Sequence, residues 1–205
     1  MGLDSIPRLY AILDAESCAR RGLDLLAVAE TWRDAGVRLV QYRDKPGSDA
    51  VVLKNAVALR DVFGSSATLI LNDRVHLFGG SGFNGVHVGQ GDGSVAEVRA
   101  LIGPDAVLGI STHHPGEVAE ADGEDVSYVA VGPVFATSTK LDAEPVVGLE
   151  GVQLARSLTR KPLVAIGGIS AASAATVLEA GADSVALISG LLDAPEGVFR
   201  LLTQG

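Results

Sequence analysis

The sequence predicts an α/β protein of one domain spanning residues 1–205, a (β/α)8 barrel of the TIM class. Three observations carry that expectation. Short runs rich in Val, Ile and Leu alternate with segments of helical period, the pattern of parallel strands joined by crossover helices. The runs are almost continuously apolar, as strands are in a sheet covered on both faces. Eight of them occur, the number that closes such a sheet into a barrel. An open, doubly wound sheet is the alternative, and the chain is short for the closed form.

The elements follow in order. "RLYAIL" (8–13) precedes "LDLLAVAETWRDAG", and "RLVQY" (38–42) precedes "SDAVVLKNAVALRDVFG", whose final glycine suits a helix C-terminus. "TLILN" (68–72) leads into a short helical stretch near "DRVHLFGG". "GVHVG" (85–89) precedes "SVAEVRALIG", and "AVLGIS" (106–111) precedes "GEVAEADG". "SYVAVG" (127–132) runs through a polar loop to "LEGVQLARSLT", and "PLVAIG" (162–167) to "SAATVLEAG". "SVALIS" (184–189) is followed by "LLDAPEGVFRLL", with a helix start at Leu191. Short length, branched residues and flanking glycines favour strand for the eight apolar runs.

In such barrels the chemistry sits on the loops that leave the C-terminal ends of the strands. The second strand ends in "QYRDK", where Gln41, Arg43 and Lys45 alternate and so project to one side. The third ends at Asn72 and Asp73, and the fourth runs on to Asp92. Two carboxylates on neighbouring strands repel unless a proton or cation lies between them. A Mg²⁺ shared with substrate phosphates fits there, and helix capping by either aspartate is the other reading. The fifth strand puts Ser111 at the rim, followed by His113 and His114. Adjacent histidines point apart on most backbones, which argues against a zinc site. His87 reads as a hydrogen-bonded barrel residue and His76 as part of a surface helix.

After the sixth strand come Thr137, Ser138, Thr139 and Lys140, three hydroxyls and a cation that suit either an anion site or a polar loop. Gly167 and Gly168 after the seventh strand, and Ile188 and Ser189 at the end of the eighth, lie where barrels of this class hold phosphate. The inventory exceeds what one monophosphate needs. Two phosphorylated substrates, one a diphosphate, would use every part.

Composition narrows the classes. Sixteen basic residues against twenty-five acidic ones give a net charge of -9, a field that repels nucleic acid and anionic membrane. At 4% aromatic residues the chain has little with which to stack on single strands. Cys18 is the one cysteine, so no internal disulfide forms, and a reducing cytoplasm is expected. The start "MGLDSIPRLY" shows neither a basic leader nor a long apolar stretch. Oligomerisation stays open.

Together, "QYRDK", "ND" at 72–73, "GVHVGQGD", "GPVFATSTK", "AIGGI" and "ALIS" resemble the thiamine-phosphate synthase family over nearly the whole chain. The resemblance implies that Gln41, Tyr42, Arg43, Asp44 and Lys45 hold 4-amino-2-methyl-5-(diphosphooxymethyl)pyrimidine by its diphosphate. It implies that Asn72 reads the pyrimidine and that Ser111 and Lys140 complete the diphosphate side. Asp73 and Asp92 would ligate one Mg²⁺ per active site. Thr137, Ser138, Thr139, Gly168, Ile188 and Ser189 would meet thiazole phosphate, carboxylated or not. Arg43, Lys45, Ser111 and Lys140 would be the catalytic set, in a dissociative departure of diphosphate. A thiazole tautomerase of the same superfamily is the rival, with no use for the metal and diphosphate set. The run "LDAEP" after Lys140 is more acidic than expected beside a diphosphate.

Overall fold

The computed structural model describes residues 5–137 and 145–202. Eight parallel strands pair in chain order: β1 (Leu9–Asp14), β2 (Leu39–Arg43), β3 (Thr68–Asn72), β4 (Gly85–Val88), β5 (Val107–Thr112), β6 (Tyr128–Val131), β7 (Leu163–Ile166) and β8 (Ser184–Leu187). β8 pairs with β1, so the sheet is a closed barrel and the open-sheet alternative falls. All eight expected strands are present, with ends that differ by at most two residues.

Period-two alternation sorts the strand residues into two layers. Tyr10, Ile12, Leu39, Ile70, Val107, Tyr128, Ala130, Val164 and Ala186 pack inside the barrel. Their neighbours in sequence, such as Ala11, Val40, Leu69, Val86, Leu108 and Val129, face outward into the layer shared with the helices. Both layers are buried, which is why the strands read as unbroken apolar runs. Two interior glycines make room for bulky neighbours. A methyl group at Gly109 would run into the Tyr128 ring, and one at Gly85 into the Val107 carbonyl.

Local signals start and stop the helices. Asp24 caps α2 (Leu25–Asp34) by accepting from the amides of Leu26 and Ala27. Ser48 caps α3 (Asp49–Phe63), and Gly64 ends it. Ser94 and Glu97 form a capping box on α5 (Val95–Ile102), and Pro115 opens α6 (Pro115–Gly123). A 3₁₀ turn (Val75–Leu77) and α4 (Phe78–Ser81) supply the short helical stretch after β3. α7 (Gly148–Leu158), α8 (Ala171–Glu179), α9 (Ser189–Asp193) and α10 (Pro195–Leu202) complete the set.

Two helical features differ from expectation. α1 (Ala15–Arg20) follows β1 directly, and its six residues are too few to show a period. The helix after β8 starts at Ser189 rather than Leu191, because the chain turns at Ile188. Among the described residues no helix is long and apolar enough to cross a membrane.

Candidate active site

The C-terminal ends of the strands surround a cavity of about 450 Å³. Strand parity decides what faces it. β2 presents Gln41 and Arg43 inward, and Lys45 follows on the same side; all three line the cavity. Tyr42 lies between them in sequence and therefore points the other way. Its hydroxyl donates to Asp44 (3.1 Å) and accepts from Asn55 (3.0 Å), in the outer layer. Asp44 is occupied in a turn, accepting from the amide of Gly47 at 2.9 Å. Of the "QYRDK" stretch, then, the cavity receives the side chains of Gln41, Arg43 and Lys45 and not those of Tyr42 and Asp44.

Arg43 has a partner that sequence reasoning missed. Asp14 sits opposite it in the β1–β2 register, and the two form an ion pair at 2.5 Å, with the Asp14 side chain 1% exposed and that of Arg43 11%. Asp14 also accepts from the Ser17 amide at 2.8 Å and so caps α1. That helix contributes Glu16 and Arg20 to the cavity rim, paired with each other at 2.8 Å. Lys45 is likewise paired, its ammonium against Asp73. Among the described lining residues, Arg20, Arg43 and Lys45 thus face Glu16, Asp73 and Asp92. The cations are already matched by carboxylates. By itself this arrangement has little positive charge left over for an anion.

The two aspartates do meet. Asp73 follows β3 directly with φ 58°, the one non-glycine residue among those described in the left-handed region, and its amide donates to the His87 carbonyl at 2.8 Å. That contact ties the end of β3 to β4. Asp92 folds back to accept from the Gly89 amide at 2.7 Å, just past β4. Neither side chain caps a helix: Ser94 caps α5, and no side chain caps the 3₁₀ turn after Asp73. The capping reading is thereby removed for both. Partial burial of the carboxyl pushes the pKa of Asp92 up; Asp73, charged and hydrogen-bonded beside it, adds to the rise against the opposing pull of Gly89 and Lys45.

These observations fit a hard divalent cation. Asp73 Oδ2 is buried and lacks a well-formed hydrogen bond, its charge met among the described residues by Lys45 alone. A cation between the carboxylates would relieve both the unsatisfied oxygen and the repulsion that raises the Asp92 pKa. Among the described residues no group of three or more His, Cys, Asp or Glu side chains is placed to hold a metal. An ion held by this pair therefore needs further ligands, and phosphate oxygens and water are what Mg²⁺ ordinarily takes.

The remaining expected residues divide. Asn72, Ser111 and Ile188 line the same cavity, as do Tyr10, His87 and His113, which were not assigned to it. The His113 ring is held by Nδ1 against the Gly132 carbonyl at 2.7 Å, while His114 caps α6. Thr137, Gly168 and Ser189 lie beyond its lining. Ser138, Thr139 and Lys140, with the acidic run that follows Lys140 as far as residue 144, fall outside the described residues.

Gly168 has a packing reason to be glycine, apart from any phosphate. Its φ is 66°, and a Cβ there would come within 2.6 Å of the Ala136 carbonyl oxygen and 2.8 Å of Phe135 Cβ. The loop after β6 lies against it, bonded to β7 through the Val134 amide and the Ile166 carbonyl (2.9 Å). Gly168→Ala is expected to lower stability by about 1–3 kcal/mol in urea unfolding and to displace that loop.

Comparison with known proteins identifies a family. A family model described as thiamine monophosphate synthase matches residues 9–191. The thiamine-phosphate synthase of Koribacter versatilis (strain Ellin345) is 45% identical over 193 residues, covering 93% of this chain and 91% of that protein. That of Chloroflexus aurantiacus (strain ATCC 29366 / DSM 635 / J-10-fl) is 42% identical over 190 residues, covering 92% and 87%. The solved structure of a thiamine phosphate pyrophosphorylase from Pyrococcus furiosus superposes with a TM-score of 0.79 at 29% identity, covering 94% of this chain and 90% of that one.

Proposed function

The chain belongs to the thiamine monophosphate synthase family and has the activity of that family, a transferase; within it we propose a Mg²⁺-assisted, dissociative reaction. The pyrimidine enters as its diphosphate, diphosphate departs, and the nitrogen of thiazole phosphate, carboxylated or not, takes its place on the methylene carbon. The observation that best supports this reading is the meeting of Asp73 and Asp92 beside paired cations.

Charge accounts for that support. A diphosphate carries several negative charges, and the described cavity residues balance one another. Asp73 and Asp92 would hold Mg²⁺, which would supply positive charge against that growing on the leaving diphosphate. With its carboxylate partner so occupied, Lys45 would be free to contact the diphosphate directly. Arg43 stays oriented by Asp14 and offers its remaining N–H donors to the same group. Fixed donors of this kind favour departure because they need no rearrangement as charge develops.

The other residues orient and enclose. Asn72 and Gln41, both in the lining, are suited to reading the polar edge of the pyrimidine. Below them the apolar floor of Ile12, Ala130, Val164 and Ala186 limits water near the methylene cation. By resemblance, Thr137, Ser138, Thr139, Gly168, Ile188 and Ser189 hold the thiazole phosphate, and Lys140 joins the diphosphate side. The acidic net charge disfavours nucleic acid, and a reducing cytoplasm is the proposed setting.

Incubating the purified chain with both substrates tests the proposal. Thiamine phosphate and diphosphate are expected in equal amounts, with turnover abolished by EDTA and restored by Mg²⁺. Full turnover in EDTA would overturn the metal's part, and no product with Mg²⁺ present would overturn the whole.

A further inference from the structure

A chain of hydrogen bonds crosses the barrel interior and ends on a residue of the cavity. Gln41 Nε2 donates to the Tyr10 hydroxyl at 2.9 Å, and the Tyr10 and Tyr128 hydroxyls bond each other at 2.8 Å. The Tyr128 hydroxyl meets His87 Nδ1 at 2.9 Å, and His87 Nε2 meets Ser111 Oγ at 2.8 Å. Both tyrosines are fully buried; their rings pack edge to face, and the imidazole stacks on Tyr128. Burial raises both phenols well above their usual pKa, so each keeps its proton.

Counting protons gives this chain a direction. A phenol has one hydrogen to donate. The Gln41 amide fills one lone pair of Tyr10; for each buried hydroxyl hydrogen to find an acceptor within these bonds, that of Tyr10 goes to Tyr128 and that of Tyr128 to His87 Nδ1. A neutral imidazole that accepts at Nδ1 carries its hydrogen on Nε2 and donates it to Ser111 Oγ. The hydroxyl hydrogen of Ser111 is then free to point into the cavity. In the reverse direction Ser111 would donate to His87 and show a ligand only lone pairs, which repel an anion.

We propose that Tyr10, Tyr128 and His87 are positioning residues that fix the Nε2–H tautomer of His87 and make Ser111 an obligate hydrogen-bond donor to the leaving diphosphate. The last clause rests on the substrate reading given above; the direction of the hydrogen-bond chain does not.

Two readouts on the full chain test it. In ligand-free protein labelled with ¹⁵N-histidine, long-range ¹H–¹⁵N correlation distinguishes the tautomers, and His87→Gln assigns the resonance. His87 is expected as Nε2–H in the wild type and as a mixture of tautomers in Tyr10→Phe, which keeps the Tyr128–His87 bond but removes the partner that sets its direction. A mixture of tautomers is expected in Tyr128→Phe. Nδ1–H in the wild type overturns the proposal, whether or not Tyr128→Phe folds. In turnover, Tyr128→Phe is expected to lower kcat about tenfold with little change in KM. In a Ser111→Ala background the same substitution is expected to have no further effect, whereas independent, multiplying losses would overturn the route through Ser111. If the protein made no thiamine phosphate at all, the tautomer would still be read. The two ideas therefore fail separately.

Discussion

Asp92→Asn is expected to lower kcat/KM by about 10²- to 10³-fold while leaving the melting temperature unchanged or slightly higher. The two effects share a cause. Partial burial and the Asp73 carboxyl raise the pKa of Asp92 in the folded protein, so the fold holds that proton more tightly than the unfolded chain does. Ionised Asp92 therefore opposes folding at neutral pH, and the opposition fades as pH falls through the raised pKa. An amide removes the charge without removing the shape, so stability is kept or gained. The residue as a whole is exposed, so the gain is small. Turnover moves the opposite way, because an amide is a weak ligand for Mg²⁺. Thermal unfolding and steady-state kinetics on the one variant check both signs. A loss of stability together with retained activity would mean that Asp92 is a structural residue.

Arg43→Met is expected to damage stability and catalysis together, by roughly 3 kcal/mol in unfolding and about 10²-fold in rate. The substitution strands Asp14, whose side chain is 1% exposed and paired with Arg43 at 2.5 Å. An uncompensated buried carboxylate is costly. Lys45→Met offers the contrast, since the Lys45 side chain is 55% exposed and its loss is expected to affect rate far more than folding. Adding Asp14→Asn to Arg43→Met removes the stranded charge, retains a side-chain oxygen to cap α1, and should restore most of the stability without restoring turnover. Urea unfolding of the four proteins separates the outcomes. A double variant no more stable than Arg43→Met alone would show that the ion pair is not what the fold depends on.

What the sequence showed, and what it hid, follows from the reach of each signal. Strand alternation is a local pattern, so the barrel and the convergence of Gln41, Arg43, Asn72 and Ser111 on one mouth were legible. Applied consistently, the same parity separates Tyr42 from its neighbours, a distinction that a stretch quoted whole as "QYRDK" conceals. Asp14 was hidden because it ends an apolar strand and begins a six-residue helix, two elements that mask each other. Its meaning lies in register with Arg43, which no local pattern records. The Tyr10–Tyr128 contact joins residues 118 positions apart and is equally invisible along the chain. For Asp73 and Asp92 the sequence left capping and metal binding open. Ser94 removes the capping reading for Asp92 by capping α5 itself, and no side chain caps the turn after Asp73.

The most direct test is a calorimetric titration of the purified chain with inorganic diphosphate, with and without Mg²⁺. Cooperative binding is expected: each ligand binds weakly alone and both bind at least a hundredfold more tightly together, an advantage lost in Asp73→Asn and Asp92→Asn. Diphosphate binding equally well without the ion, or keeping its dependence on Mg²⁺ in both variants, would contradict a cation held between these two carboxylates.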